Sequence, residues 1–136
     1  MRPLGVNWVG VETGEFSSMR RFFNEVMGLG ITFEREGFCV LSLPDGDKLE
    51  LFGPGFPLES HLFQAGPVVA GFWVADLDAA LAELRQAGIE LLGKGGRDQS
   101  GYRWQHFRAP DGKVFEINCD PGRADPADPP AQAGAR

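Results

Sequence analysis

A chain of 136 residues, 43% of them hydrophobic and 24% charged, can bury one core of ordinary size, and its composition fits neither a coiled coil nor a collagen-like repeat. Its formal net charge is −6 and its thirteen Lys and Arg are scattered, which excludes the clustered basic surface that nucleic acids and anionic lipids select. The longest apolar runs, such as residues 67–75, fall short of the roughly 20 residues of a membrane span, and Met1-Arg2-Pro3 leads into a strand pattern rather than a signal-peptide apolar segment, so a soluble cytoplasmic protein is expected.

The first strand is expected over residues 6–13. An amphipathic helix comes next, because Phe16, Met19, Phe23, Val26 and Met27 recur at helical spacing while Arg20, Arg21, Asn24 and Glu25 fill the other positions. Gly28 or Gly30 stops it, and strands succeed it at 31–35, 38–43 and 48–52. Residues 53–67, rich in Gly and Pro and carrying His61, read as a connector able to fold over the edge of a site.

The next strand is expected over 68–75, then a helix over 77–87 with Asp76 as N-cap, Leu77, Ala80, Leu81 and Leu84 as its apolar stripe, and Gly88 as its stop. Strands at 89–93, 102–108 and 113–118 complete the pattern. Between the first two of these, Gly93-Lys94-Gly95-Gly96-Arg97 lacks the GxxxxGK[ST] order of a phosphate loop and precedes a strand, so it reads as a flexible rim whose Lys94 and Arg97 can meet an anionic group. Residues 121–136 have no apolar periodicity and are expected to be a disordered tail. Cys39 and Cys119, 80 positions apart and outside any CxxC spacing, read as free, buried thiols.

An internal repeat organises these elements. Leu43-Pro44-Asp45-Gly46 followed by Leu49-Glu50-Leu51 recurs as Ala109-Pro110-Asp111-Gly112 followed by Phe115-Glu116-Ile117, with the same spacing from Asp-Gly to Glu. Each Asp-Gly marks a tight hairpin between strands. The chain is therefore an α+β protein of two tandem βαβββ modules, 4–56 and 68–120, within a single domain at 1–120.

Two segments carry a family likeness. Phe22-Phe23-Asn24-Glu25-Val26-Met27-Gly28-Leu29 resembles a helix end, and Val74-Ala75-Asp76-Leu77-Asp78-Ala79-Ala80 with Ala109-Pro110-Asp111-Gly112-Lys113-Val114-Phe115-Glu116 resembles the second strand-helix start and final hairpin, of the vicinal oxygen chelate superfamily. That superfamily includes glyoxalase I, fosfomycin-resistance enzymes, extradiol dioxygenases and the metal-free bleomycin-resistance proteins. The resemblance spans about residues 4–120. It implies a mixed, partly open, barrel-like concave sheet of eight strands with the helices outside, and a homodimer as a common assembly.

It also implies a metal held in the concave sheet by one residue of each module's first strand and one Glu of each last strand. Here the first-strand positions fall on Trp8 and Val69, which offer no lone pair to a cation, whereas the glutamates are Glu50 and Glu116. No cofactor is therefore expected. Should a divalent Zn, Ni, Mn or Fe bind, its ligands would be Glu50 and Glu116 completed by His106, His61 or Glu12, as in a glyoxalase-like lyase or isomerase or a dioxygenase.

Strand alternation sorts residues between the helix-packed and cavity faces. Taking Glu50 and Glu116 as cavity-facing, candidate catalytic carboxylates, Lys48, Phe52, Val114 and Asn118 join them. The same rule adds Val6, Trp8, Gly10 and Glu12, then Val69, Gly71 and Trp73, then Tyr102, Trp104 and His106. The expected site is an aromatic, acidic pocket in which Trp8, Glu12, Trp73, Tyr102, Trp104 and His106 bind a small aromatic or cationic molecule without metal.

Overall fold

The computed structural model describes residues 1–123. The first module runs β1 (Gly5–Glu12), α1 (Phe16–Arg21) continuing as a π-helical turn (Phe22–Val26), β2 (Gly30–Arg35), β3 (Phe38–Ser42) and β4 (Lys48–Phe52). The second runs β5 (Val68–Trp73), α2 (Leu77–Gln86), β6 (Leu91–Arg97), β7 (Arg103–Arg108) and β8 (Val114–Cys119). All eight strands join one mixed sheet in the order β2-β3-β4-β1-β5-β8-β7-β6, open at β2 and β6. Each module lays its last strand parallel to its first, β4 on β1 and β8 on β5, and the antiparallel pair β1–β5 joins the modules within the chain.

Both repeat hairpins close with the same hydrogen bonds. The Leu43 N–H donates to the Asp47 carbonyl and the Ala109 N–H to the Lys113 carbonyl, each at 2.8 Å. Asp45 and Asp111 each accept the backbone N–H two residues on at 3.0 Å. Gly46 and Gly112 sit at φ 94° and 93°, a left-handed conformation that a Cβ would strain, so the Asp-Gly pair is a requirement of the turn.

Both helices pack on the convex face. Phe16, Met19 and Phe23 cover Val9, Val11, Cys39, Leu41, Leu49 and Leu51, and Leu77, Ala80, Leu81 and Leu84 cover Val74 and Ile117. The expected stripe of the first helix holds only that far, since Val26 and Met27 are 73% and 55% exposed. The cause is the π turn, whose Met27 N–H reaches back five residues to the Phe22 carbonyl at 3.0 Å. A π turn carries more residues per revolution than an α-helix, so Val26 and Met27 rotate away from the sheet. Gly28, at φ 77°, ends the element.

α2 forms as expected. The Asp76 carboxylate accepts the Ala79 N–H at 3.0 Å. Replacing Asp76 by Ala is expected to lower stability by about 1 kcal/mol, visible as a lower urea midpoint with unchanged slope.

The segment at residues 93–97 is a correction to the expected flexible rim, because it belongs to β6. Leu92 stands opposite His106 and Gly96 opposite Trp104, so four steps on β6 face two on β7. Gly93 and Gly95, both at φ 72°, absorb this bulge. Gln105 pins it from β7, its Nε2 donating to the Gly93 carbonyl at 3.0 Å. Lys94 and Arg97 line a smaller cavity beside Leu77 and Arg103, away from the concave face.

Of the expected tail, Pro121, Gly122 and Arg123 close a turn, with Arg123 bonded to Asp47; residues 124–136 lie outside the described residues. Cys39 is buried and Cys119 half-buried, and neither is in a disulfide. Among the described residues, no helix is long and apolar enough to cross a membrane.

Candidate functional site

The two modules present equivalent points to the concave face. Gly10 of β1 stands beside Glu50 of β4, and Gly71 of β5 stands beside Glu116 of β8. Two residues before each glycine come Trp8 and Val69. Both glycines are needed for what covers them. A Cβ on Gly10 would overlap the six-membered ring of Trp8, and one on Gly71 would lie 3.0 Å from Glu116 Oε2 and 3.2 Å from Trp8 Cβ. Trp8 is thereby laid across the middle of the sheet, where it packs with Val69, Leu92, Val114, Phe52 and Leu62.

A cavity of about 830 Å³ opens beside this plug. Trp8, Glu50, Tyr102, Trp104, His106 and Glu116, all expected from the sequence as site residues, line it. Glu12 and Trp73 are not among its lining residues. Glu12 ends β1 next to Phe52 and Pro67, and Trp73 ends β5 at the opposite extreme, buried under the Arg123 guanidinium at 4.6 Å from its ring centroid. Alternation assigns a side of the sheet but not a position along the strand, and the cavity ends before it reaches either residue.

Other walls lie outside the expected set. Phe38 of β3 stacks on Phe56 of the connector, with ring centroids 4.6 Å apart and planes at 13°, and Phe33 of the edge strand meets Phe38 edge-on. Phe56, Leu58 and Leu62 bring the connector down over the concave face. Alternation in β3 points Val40 to this side and Phe38 with it, so the sequence holds a signal for that wall; the connector's aromatic carries none.

The polar groups form a graded network. Glu116 is buried, and its Oε2 accepts the Tyr102 hydroxyl and Asn118 Nδ2, both at 3.0 Å. Asn118 in turn exchanges two hydrogen bonds of 2.8 Å with Asn7. Burial and then the neighbouring Glu116 carboxylate hold the Tyr102 phenol well above its usual range, so it remains a donor. Lys48 Nζ sits 4.1 Å over the Tyr102 ring.

Glu50 lies on the cavity wall. Burial first, then repulsion from Glu116, push its carboxyl up to about 7, against the pull of a hydrogen bond with Trp8 and the charge of Lys48.

On the other side of Glu116, its Oε1 lies 3.5 Å from His106 Nε2. His106 Nδ1 is 2.9 Å from His61 Nε2, and His61 Nδ1 is 3.7 Å from Glu59 Oε2. Ligand atoms of Glu59, His61 and His106 lie within 4.8 Å of one another. Burial, and then the facing His106, hold His61 below its ordinary value, so the ring is neutral at pH 7.

A family model described as the Glyoxalase/Bleomycin resistance protein/Dioxygenase superfamily matches residues 5–117. Among solved structures, the chain is similar to methylmalonyl-CoA epimerase from Mycobacterium tuberculosis, at 20% identity over 86% of this chain and 88% of that one, with a TM-score of 0.66. A methylmalonyl-CoA epimerase in complex with methylmalonyl-CoA and NH4+ aligns at 20% identity over 92% of this chain and 100% of that one, with a TM-score of 0.67. A superfamily member from Vibrio splendidus 12B01 aligns at 23% identity over 82% and 96%, with a TM-score of 0.59. Identities this low establish a shared fold. No curated protein matches the chain.

Proposed function

Because this chain belongs to the Glyoxalase/Bleomycin resistance protein/Dioxygenase superfamily, whose fold hosts many chemistries, we propose from its site that the concave cavity binds a small flat molecule, aromatic and cationic, with no metal at the centre of the sheet. The observation that carries this reading is the Trp8 indole lying across Gly10 where the two modules meet.

The donor set at that centre does not fit the ion that the family likeness implies. An indole N–H donates only and Val69 offers no lone pair. Glu116 already accepts from Tyr102 and Asn118, and Glu50 is engaged by Trp8. Two carboxylates so occupied make a poor cage for a divalent cation. They serve a cationic organic guest better. Glu50, Glu59, Asp98 and Glu116 line the cavity against Arg35 and Lys48, and the aromatic walls supply faces for stacking.

A second reading, acid–base chemistry on a bound substrate, is favoured by one observation: a Glu50 carboxyl near 7 exchanges its proton at physiological pH. Solved epimerases share the fold.

Titration of tryptophan fluorescence with a planar acridinium dye tests the first reading. Saturable 1:1 quenching is expected, tighter at pH 8 than at pH 6 because Glu50 ionises in between. Trp104, half-buried on the cavity wall, is the variant of choice: Trp104→Ala is expected to weaken the dye by about tenfold, equivalent to one stacking contact of about 1.4 kcal/mol, with an unchanged circular dichroism spectrum. Absence of saturable binding by the folded protein would reject this reading.

A further inference from the structure

We propose that Glu59, His61 and His106 form a site for one divalent transition-metal ion, zinc or a neighbouring first-row ion, at the rim of the cavity. Such a site borders the cavity, which Glu59 and His106 also line, and uses none of the positions at the centre of the sheet. His61 and Glu59 come from the connector and His106 from β7, so the cluster exists only once the connector has folded over the concave face.

Four features support it. Two imidazoles and a carboxylate are a donor set that zinc takes at open sites, leaving a fourth position for water or a guest. His61 Nε2 and His106 Nδ1 stand 2.9 Å apart; a tetrahedral ion with bonds of about 2.0–2.1 Å separates such nitrogens by about 3.3 Å, so small side-chain shifts admit it. With Nδ1 of His106 ligating, its Nε2 faces Glu116 Oε1 at 3.5 Å, a buried carboxylate placed to orient the ring. Finally, the bulge of β6 clears the space: a Cβ on Gly93 would overlap Glu59 Oε2 and come within 2.8 Å of His61 Cε1.

The ion would sit between Glu59 and the His106 that Glu116 backs, leaving Trp104, Tyr102 and Glu50 on the wall for an organic guest.

The test uses untagged, chelator-treated, full-length protein titrated with Zn2+ and followed by native mass spectrometry and calorimetry. One ion per chain is expected. Co2+ substitution is expected to give the intense visible bands of a tetrahedral centre. His61→Ala, at the rim, is expected to weaken zinc at least tenfold while the far-ultraviolet spectrum is retained, and Glu50→Gln is expected to leave it unchanged. No binding at one equivalent, or binding that survives His61→Ala, would overturn the proposal. Loss of zinc in folded Glu50→Gln would overturn it too, by placing the ion at the centre of the sheet. That last outcome would also contradict the metal-free centre of the sheet, whereas absence of binding, or binding that survives His61→Ala, leaves dye binding untouched.

Discussion

At pH 8 the Glu50→Gln variant is expected to be more stable than the parent by about 2 kcal/mol, and at pH 4 the two are expected to be equal. In the unfolded chain the Glu50 carboxyl titrates at its ordinary 4.5, whereas in the fold it holds its proton up to about 7. Between those values the folded state binds a proton that the unfolded state has released. Stability therefore falls as pH rises through the window, and the loss is complete above it. The full shift corresponds to about 3.5 kcal/mol at roughly 1.4 kcal/mol per pH unit. Glu50 borders the open cavity, whose water screens part of this, hence the smaller figure.

Glutamine keeps the neutral shape and the acceptor for Trp8 while removing the charge. Urea midpoints measured from pH 4 to pH 9 read the effect of Glu50 with its repulsion from Glu116, because titrating groups remote from Glu50 cancel in the difference between variant and parent. A difference that stays flat across pH 4.5–7 would mean that Glu50 is solvated like an exposed carboxylate.

Trp8→Ala is expected to lower stability by about 3–5 kcal/mol, the range for truncating a large buried aromatic. Trp8 is 3% exposed and packs against β4, β5, β6, β8 and the connector together. A total stability of about 5–15 kcal/mol is usual for a domain, so the variant is expected to be partly unfolded on warming. Equilibrium urea unfolding gives the number. A loss below about 1 kcal/mol would show that the neighbours collapse into the vacated space, and that Trp8 is not the plug joining the modules. Trp8→Phe retains part of the packing and separates this role from the hydrogen bond to Glu50.

The repeat is the most legible feature of the sequence, for a local reason. An Asp-Gly turn, an N-cap three residues before its donor and a glycine stop each depend on fewer than six neighbouring residues, so the hairpins at Gly46 and Gly112 and the ends of α2 form where the sequence places them. Alternation likewise puts Trp8, Glu50, Tyr102, Trp104, His106 and Glu116 on one side of the sheet.

The departures from expectation share the opposite cause. Val26 and Met27 keep helical spacing, yet a π turn changes their phase. Residues 93–97 have the composition of a loop, but opposite β7 their glycines are what a two-residue bulge demands. Trp73 and Glu12 sit on the expected strands at ends the cavity does not reach.

Composition, period and turn chemistry thus determine the α+β class, the two βαβββ modules and the cavity-facing side of most strands, since these arise from contacts near in sequence. The pairing of β1 with β5, the Phe38–Phe56 stack, the raised carboxyl of Glu50 and the meeting of Glu59 and His61 with His106 come from tertiary structure alone. Burial and proximity between residues tens of positions apart are set by how the sheet curves and where the connector settles, and no short-range pattern encodes either.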